Sequence, residues 1–308
     1  MTAQVLDGTS IANQIYAELG HDIERLKKAG HTPGLAAVLV GDNPASRIYV
    51  NRKVAACARM EIVSRKIELP QSADTAAVLG EVDALNADDS IDGILVQLPL
   101  PPQVSEKEVL LRVSPHKDVD GLHPMNLGAL LMGNHAWASC TPSGVMQMLR
   151  RSGVEVEGKR AVVVGRSVLV GRPVAILLMH AHATITVCHS RTKALASVCR
   201  EADILIAAIG RPLMITQEYV KAGAVVVDVG INKVSDPGLV SRVFKDDPVR
   251  LAQFEEKKYL IVGDVDPVSV SRVAGKLSPV PGGVGPLTIA MLIHNTACAA
   301  RARLGHLL

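Results

Sequence analysis

The chain has 308 residues, enough for two domains with separate cores. Its net charge is +3 with acids and bases interspersed, and aromatics make up only 2%, so no nucleic-acid footprint or base-stacking platform is expected. The apolar fraction of 48% and mean hydropathy of +0.25 suit a parallel sheet buried on both faces, yet no run reaches the length of a membrane span.

The N-terminal MTAQVLDGTSIANQI lacks the basic and apolar regions of a signal peptide. Ser10 is placed to cap a helix to about residue 29. The apolar run GLAAVLV (34–40) reads as a buried strand. Asn43 then caps a helix whose first position suits Pro44. That helix carries Tyr49 and Lys53, four residues apart and so on one face. A strand at 62–69, a helix at 75–86 and a buried strand at 91–98 follow, the last stopped by Pro99-Leu100-Pro101-Pro102. A short helix at 105–113 precedes an irregular functional connector at 114–142, after which Pro142-Ser143 starts another helix.

A second alternating series follows. Strands are expected at 160–164, 184–188, 203–208 and 224–229, with helices at 170–180 and 193–200. The charged stretch 235–258 reads as a surface excursion, and 260–263 as a return to the sheet. The chain closes with a Gly/Pro loop, PVPGGVGP (279–286), and an apolar helix at 287–304. Helix and strand patterns alternate throughout, which predicts an α/β fold.

Ligands of open α/β sheets lie at the carboxyl ends of the strands. Tyr49 and Lys53 would project there, and a lysine desolvated beside an aromatic ring is a proton carrier. The bland alternative is a solvated lysine beside a half-buried tyrosine. Gln97 ends a buried strand, where its amide either bonds an amine on a neighbouring helix or satisfies loop backbone. Lys117-Asp118-Val119-Asp120-Gly121 is either a charged turn or presents an aspartate to a donor-rich heterocycle. A metal reading of the two aspartates lacks a ligand cluster, and His180-Ala181-His182 reads as a helix terminus, so no metal is expected. No nucleophile elbow, P-loop or HExxH is present.

The strand 161–164 runs into Gly165-Arg166-Ser167, and Gly171 and Pro173 open the next helix. Backbone N–H groups and the helix dipole there suit a pyrophosphate. The spacing Gly165-x-Ser167-x-x-x-Gly171 departs from GxGxxG. The following strand ends Cys188-His189-Ser190-Arg191, without the carboxylate that holds an NAD ribose. Arg166, Ser190 and Arg191 offer a cation and donors for a 2′-phosphate instead, which favours NADP over NAD. The five cysteines, odd in number and without CxxC, suit a reduced, cytoplasmic protein.

Nine segments in order resemble the bifunctional methylenetetrahydrofolate dehydrogenase/methenyltetrahydrofolate cyclohydrolase family. They are VGDNPASRIYVNRK (40–53), GILVQLPLP (93–101), HKDVDGLHP (116–124), CTPSG (140–144), VVGRSVLVGRP (163–173), CHSRT (188–192), DVGIN (228–232), GDVD (263–266) and PVPGGVGPLT (279–288). The resemblance implies two α/β domains with a cleft between them. A folate-binding catalytic domain would take residues 1–138 plus 285–308, and a Rossmann-type parallel-sheet NADP domain residues 139–284. It implies catalytic roles for Lys53, Tyr49 and Gln97, with Tyr49 also lining the folate site. Asp120 would grip the pterin, and Pro281, Gly282 and Gly283 would close its pterin side. Thr141, Gly165, Arg166, Ser167, Gly171, Ser190, Arg191 and the Ile231 carbonyl would hold NADP. Tetrahydrofolate one-carbon derivatives are the implied substrates, and a homodimer built on the cofactor domain the implied assembly. Ser139, Leu287 and Leu122 stand where the family commonly has proline, methionine and phenylalanine; none removes a polar catalytic group. Two other classes compete: an NADP-dependent dehydrogenase of another small substrate on a related two-domain fold, and a folate- or nucleotide-binding regulator without turnover.

Overall fold

In the computed structural model, which describes residues 2–134 and 137–305 (Ala45 by its backbone alone), the chain divides into two compact units. One holds Ala12–Cys140 and the chain from Thr288 onward; the other holds the residues up to Ile11 and Thr141–Leu287.

The chain opens with β1 (Gln4–Val5) and α1 (Gly8–Lys28). This helix starts ahead of Ser10 because Asp7 supplies the capping oxygen, accepting the Ser10 N–H at 3.0 Å. Then come β2 (Gly34–Val40), α2 (Pro44–Arg59), β3 (Val63–Leu69), α3 (Thr75–Ala87) and β4 (Gly93–Val96). The three strands form a parallel sheet in the order β3-β2-β4. All seven residues of β2 are buried, as a central strand covered on both faces requires. Val78, Val82 and Leu85 of α3 pack on Ala36, Val38 and Ile94 of the sheet. Next follow α4 (Glu106–Arg112), capped by Ser105, and α5 (Pro124–Met132). The expected connector 114–142 is therefore more regular than its composition suggests. Pro124 takes the first turn of α5 while the His123 ring accepts the Met125 N–H at 3.1 Å. His135 and Ala136, inside the same connector, lie outside the described residues.

Helix α6 (Cys140–Arg151) begins two residues before Pro142. Beyond it lie β5 (Arg160–Val164), α7 (Gly171–His180), β6 (Thr184–Cys188), α8 (Leu195–Cys199), β7 (Ile204–Ala207) and β8 (Val225–Asp228). After β9 (Asn232–Val234) come α9 (Pro237–Val243), α10 (Pro248–Lys257), β10 (Leu260–Val262), α11 (Pro267–Val270) and β11 (Lys276–Leu277). Helix α12 (Val284–Arg303) closes the series. Six strands form one parallel sheet in the order β1-β11-β8-β7-β5-β6.

Three features here differ from expectation. Residues up to Ile11 group with this sheet because β1 pairs with β11, Gln4 against Lys276. The stretch 235–258 is not a loose excursion: its two helices bury Val240, Phe244 and Phe254. And 260–262 does not rejoin the main sheet but pairs antiparallel with β9. No helix among the described residues is long and apolar enough to cross a membrane.

Lys117 illustrates how loops are fixed onto the first sheet. Its ammonium donates to the carbonyls of Leu85, Asn86 and Asp88 at 3.0, 2.9 and 2.7 Å, at the end of α3. They cluster at the carboxyl end of α3, the pole of a helix where a cation belongs. Lys117→Met keeps the stem and deletes all three donors. It should cost about 3 kcal/mol, as for loss of charge-assisted bonds to buried acceptors, read as a lowered urea midpoint.

Candidate active site

The first constellation grows from the edge of the three-stranded sheet. Asn43 caps α2 by accepting the Ser46 N–H at 3.1 Å, which fixes where the helix starts and so which residues face inward. Lys53, two turns in, is only 9% exposed. Its amine donates to Gln97 Oε1 at 3.0 Å. Gln97 extends the ladder of β4 by one bond, its N–H reaching Val38 O at 2.9 Å. Its side-chain N–H₂ is committed to Leu98 O at 2.7 Å, which leaves the amide oxygen facing the lysine. The amide's orientation is thus set by backbone, and the bonding reading of Gln97 holds over the loop-satisfying one alone.

Burial pushes the Lys53 amine below the usual lysine range, while Asp120 and then Cys140 pull it back up. Tyr49 lies one turn earlier on α2, half-buried, its phenol raised by burial and eased down by Arg52. Cys140 is buried, its thiol donating to Val119 O at 3.3 Å, and that burial, together with the nearby Asp120 carboxylate, holds it well above the ordinary thiol range. Nothing in the sequence marked Cys140 as a neighbour of Lys53 and Asp120; only the packed chain brings them together.

Asp118 and Asp120 part company. Asp118 is buried and accepts the His123 N–H at 2.7 Å and Asn126 Nδ2 at 2.8 Å, a structural role. Burial nonetheless raises its carboxyl. Asp120 stays half-exposed, its backbone held from both directions. Trp137 Nε1 donates to Asp118 O at 2.8 Å, and buried Asn295 on α12 donates to Val119 O at 2.8 Å and Ala138 O at 3.0 Å. Among the described residues no group of three or more His, Cys, Asp or Glu is arranged for a metal.

The second constellation lies at the carboxyl edge of the six-stranded sheet. Gly165 follows β5 with φ +126°, and a Cβ there would sit 2.0 Å from Ala208 O. Only glycine makes this turn. A Cβ on Gly171 would lie 2.3 Å from Gly165 O, so α7 starts directly against the turn. Ser167 Oγ accepts the Val170 and Gly171 N–H groups at 3.2 and 3.3 Å, satisfying part of the helix N-terminus. Arg166 is exposed beside it. On the adjacent strand, β6 exits into His189, Ser190 and Arg191, the last two exposed and no carboxylate among them. His189 Nδ1 accepts the Arg191 N–H at 3.1 Å, which shapes this turn. Ile231 follows β8, three strand positions from β6, a span of about 14 Å. Thr141 sits in the first turn of α6.

Pro281, Gly282 and Gly283 lie in this unit also. Their loop is pinned twice: Gly282 O accepts the Thr9 N–H at 3.1 Å, and Arg250 of α10 donates to Val280 O at 2.5 Å. Gly8 must be glycine, since its Cβ would fall 1.7 Å from Gly283 O. Two further groups went unassigned from sequence: Asp228, pushed up to about 7 by burial, and Asp264, wholly buried. Their sequence signals differ: Asp228 ends a strand two residues before Gly230 in DVGIN, and Asp264 directly follows Gly263 in GDVD.

Both halves of the chain match family models. Residues 6–120 match the tetrahydrofolate dehydrogenase/cyclohydrolase catalytic domain, and residues 139–304 match the NAD(P)-binding domain of the same description. The bifunctional protein FolD of Solibacter usitatus is 53% identical over 302 residues, 98% of this chain and 99% of that one. That of Koribacter versatilis is 54% identical over 306 residues, 99% of each. Among solved structures, the FolD methylenetetrahydrofolate dehydrogenase/cyclohydrolase of Campylobacter jejuni superposes with a TM-score of 0.88 at 41% identity, covering 98% of this chain and 99% of that one. The Trypanosoma brucei enzyme, described in complex with NADP cofactor and an inhibitor, gives 0.89 at 38% identity over 99% of each chain.

The geometry around Lys53 makes its own prediction. An amide oxygen accepting from an ammonium favours the charged form. Gln97→Leu should therefore move the Lys53 titration further down, followed by NMR of its Cε resonance; an unmoved or raised midpoint would contradict the pairing.

Proposed function

The chain belongs to the tetrahydrofolate dehydrogenase/cyclohydrolase family, and from that premise we propose how its residues divide two reactions between them. The enzyme oxidises 5,10-methylenetetrahydrofolate to the 5,10-methenyl cation with NADP⁺, then hydrolyses that cation to 10-formyltetrahydrofolate. The observation that carries the hydrolytic half is the buried Lys53 amine held on the Gln97 oxygen. A dehydrogenase of another small substrate, or a binding regulator, has no evident use for a desolvated amine aligned in this way, and both halves of the chain match the one family.

NADP⁺, when bound, supplies the acceptor for the substrate's hydride. The residues present fit such a group. The Gly165–Ser167 turn and the start of α7 offer backbone N–H groups with no side chain in the way at Gly165 or Gly171. Arg166, Ser190 and Arg191 would take the 2′-phosphate, since β6 ends without a ribose-binding acid. Thr141 and the Ile231 carbonyl would complete the cofactor's contacts. Tyr49, Asp120, Pro281, Gly282 and Gly283 would bind the folate, with Asp120 accepting from adjacent N–H groups of the pterin.

Oxidation asks the chain mainly for positioning and for exclusion of water. Hydrolysis asks for proton transfers. Water adds to the methenyl carbon while neutral Lys53 takes one of its protons; that proton then goes to the ring nitrogen as the carbon–nitrogen bond opens, and the hydroxyl's remaining proton is released to solvent as the formyl carbon–oxygen double bond forms. Gln97 orients the amine, and Tyr49 packs the same face of α2. A cytoplasmic setting and a homodimer belong to the same reading; all five cysteines are free and four are buried, which suits a reducing compartment.

Three variants test the assignments. Lys53→Met should lower hydrolysis of methenyltetrahydrofolate by about 10² to 10⁴, the usual worth of acid–base help, followed as decay of methenyl absorbance. Hydrolysis at the parent rate would end the proposed role. Arg166→Ala should raise the KM for NADP⁺ about tenfold, the scale of one charge-assisted contact, and leave that for NAD⁺ nearly alone. Asp120→Ala should raise the folate KM, and an unchanged value counts against a pterin contact.

A further inference from the structure

We propose that Asp264, acting through Asn232, is a positioning residue that sets the loop bearing Ile231 and so the nicotinamide end of the cofactor site. This rests on the role given to Ile231 above. Asp264 is wholly buried, with no basic side chain among its hydrogen-bond donors. One oxygen accepts the backbone N–H groups of Ile209 and Gly210 at 2.5 and 2.9 Å, in the loop after β7. The other accepts Asn232 Nδ2 at 2.9 Å, at the first residue of β9, directly after Ile231. Asp228, 3% exposed, completes the arrangement by accepting the N–H groups of Gly230, Asp264 and Val265, each at 2.9 Å.

The residues on either side of Ile231 are thus clamped separately. Gly230 is held by the Asp228 carboxylate and Asn232 by that of Asp264, while Ile231 between them is 47% exposed. The space is shaped for this purpose. A Cβ on Gly230 would lie 2.4 Å from the Asp264 carboxyl carbon, and one on Gly263 would lie 1.7 Å from an Asp228 oxygen. The same network reaches the pyrophosphate turn, because Ala208, next to Ile209, lies against Gly165. Burying two adjacent carboxylates is costly where apolar packing would serve a purely structural end. Carboxylates, unlike apolar groups, gather backbone N–H groups from three loops and hold them at fixed separations.

Asn232 is half-buried, so Asn232→Ala cuts one link without opening the core. The test compares this variant with the parent in three assays. The KM for NADP⁺ should rise, and the dehydrogenase kcat fall, each about tenfold, the scale of one bond to a charged acceptor. Binding of adenosine 2′,5′-bisphosphate, which occupies only the adenine-ribose end, should stay within about twofold of the parent. Hydrolysis of supplied methenyltetrahydrofolate should stay at the parent rate, which also verifies folding. Parent-like NADP⁺ kinetics would overturn the inference. So would parallel loss of all three, which marks a general structural role. A parent protein that does not turn over NADP⁺ would overturn the cofactor assignment, and this inference with it.

Discussion

Holding one primary amine out of water is the constraint to which the unit built on the three-stranded sheet answers. An ammonium strongly resists desolvation, and burial alone drives Lys53 toward its neutral form. A buried lysine without partners would simply be a defect. Here the sheet supplies a single neutral acceptor at its edge, and the acceptor's other end is locked to backbone. The Asp120 carboxylate acts in the opposite sense, favouring the charged form. The amine is therefore balanced between burial and a nearby carboxylate, which suits the proposed role of taking and returning a proton. Much of the surrounding architecture follows from keeping these groups still. The Asn43 cap of α2, the ladder bond at Gln97, and the clamp of Asn295 on either side of the Asp120 segment each remove a degree of freedom.

The cofactor unit solves a different problem with similar means. Its ligand is long, and the groups proposed to bind it are spread over the ends of three parallel strands, β8, β5 and β6, with β7 between them. Loops at such an edge have little apolar material to bury, and the low local contact density of loops usually makes them mobile. Buried carboxylates supply the order that packing does not. Asp228 and Asp264 take six hydrogen bonds between them, five from backbone N–H groups and one from Asn232. Glycines at 230 and 263 are the necessary counterpart, since any side chain there would occupy the space of the carboxyl groups.

How much of this was legible depended on whether the interaction was local in sequence. The Tyr49–Lys53 spacing, the Asn43 cap and the Gly165 turn are short-range, and periodicity or turn chemistry reveals them directly. The approach of Gln97 to Lys53 was one of two open readings, because it depends on β4 lying beside β2 and no local rule fixes strand order. Cys140, Asn295 and Asp264 were missed for a stronger version of the same reason. Asn295 reaches Val119 across 176 positions, and Asp264 reaches Ile209 across 55. The stretch 235–258 misled in another way. Its charges read as solvated loop, yet Phe244 and Phe254 carry a small core of their own, and Pro237 and Pro248 open helices rather than break them.

The proposed order of the two reactions gives the balanced lysine a further significance. Methylenetetrahydrofolate carries no charge on its one-carbon unit, whereas its oxidation leaves a cation there. Two like unit charges 4 Å apart near a protein surface repel by about 4 kcal/mol. An amine facing that carbon would therefore hold its proton more readily before hydride transfer than after it. On the proposed role, oxidation itself would then convert Lys53 toward the neutral base that hydrolysis requires, with no conformational change needed. Burial and Gln97 set the starting point of this shift, and the substrate's own charge completes it. A surface lysine would gain little from the same cation, because water and salt would screen the repulsion. With Lys53 as the proposed base, its desolvated position is thus what would let one step of the sequence prepare the catalyst for the other.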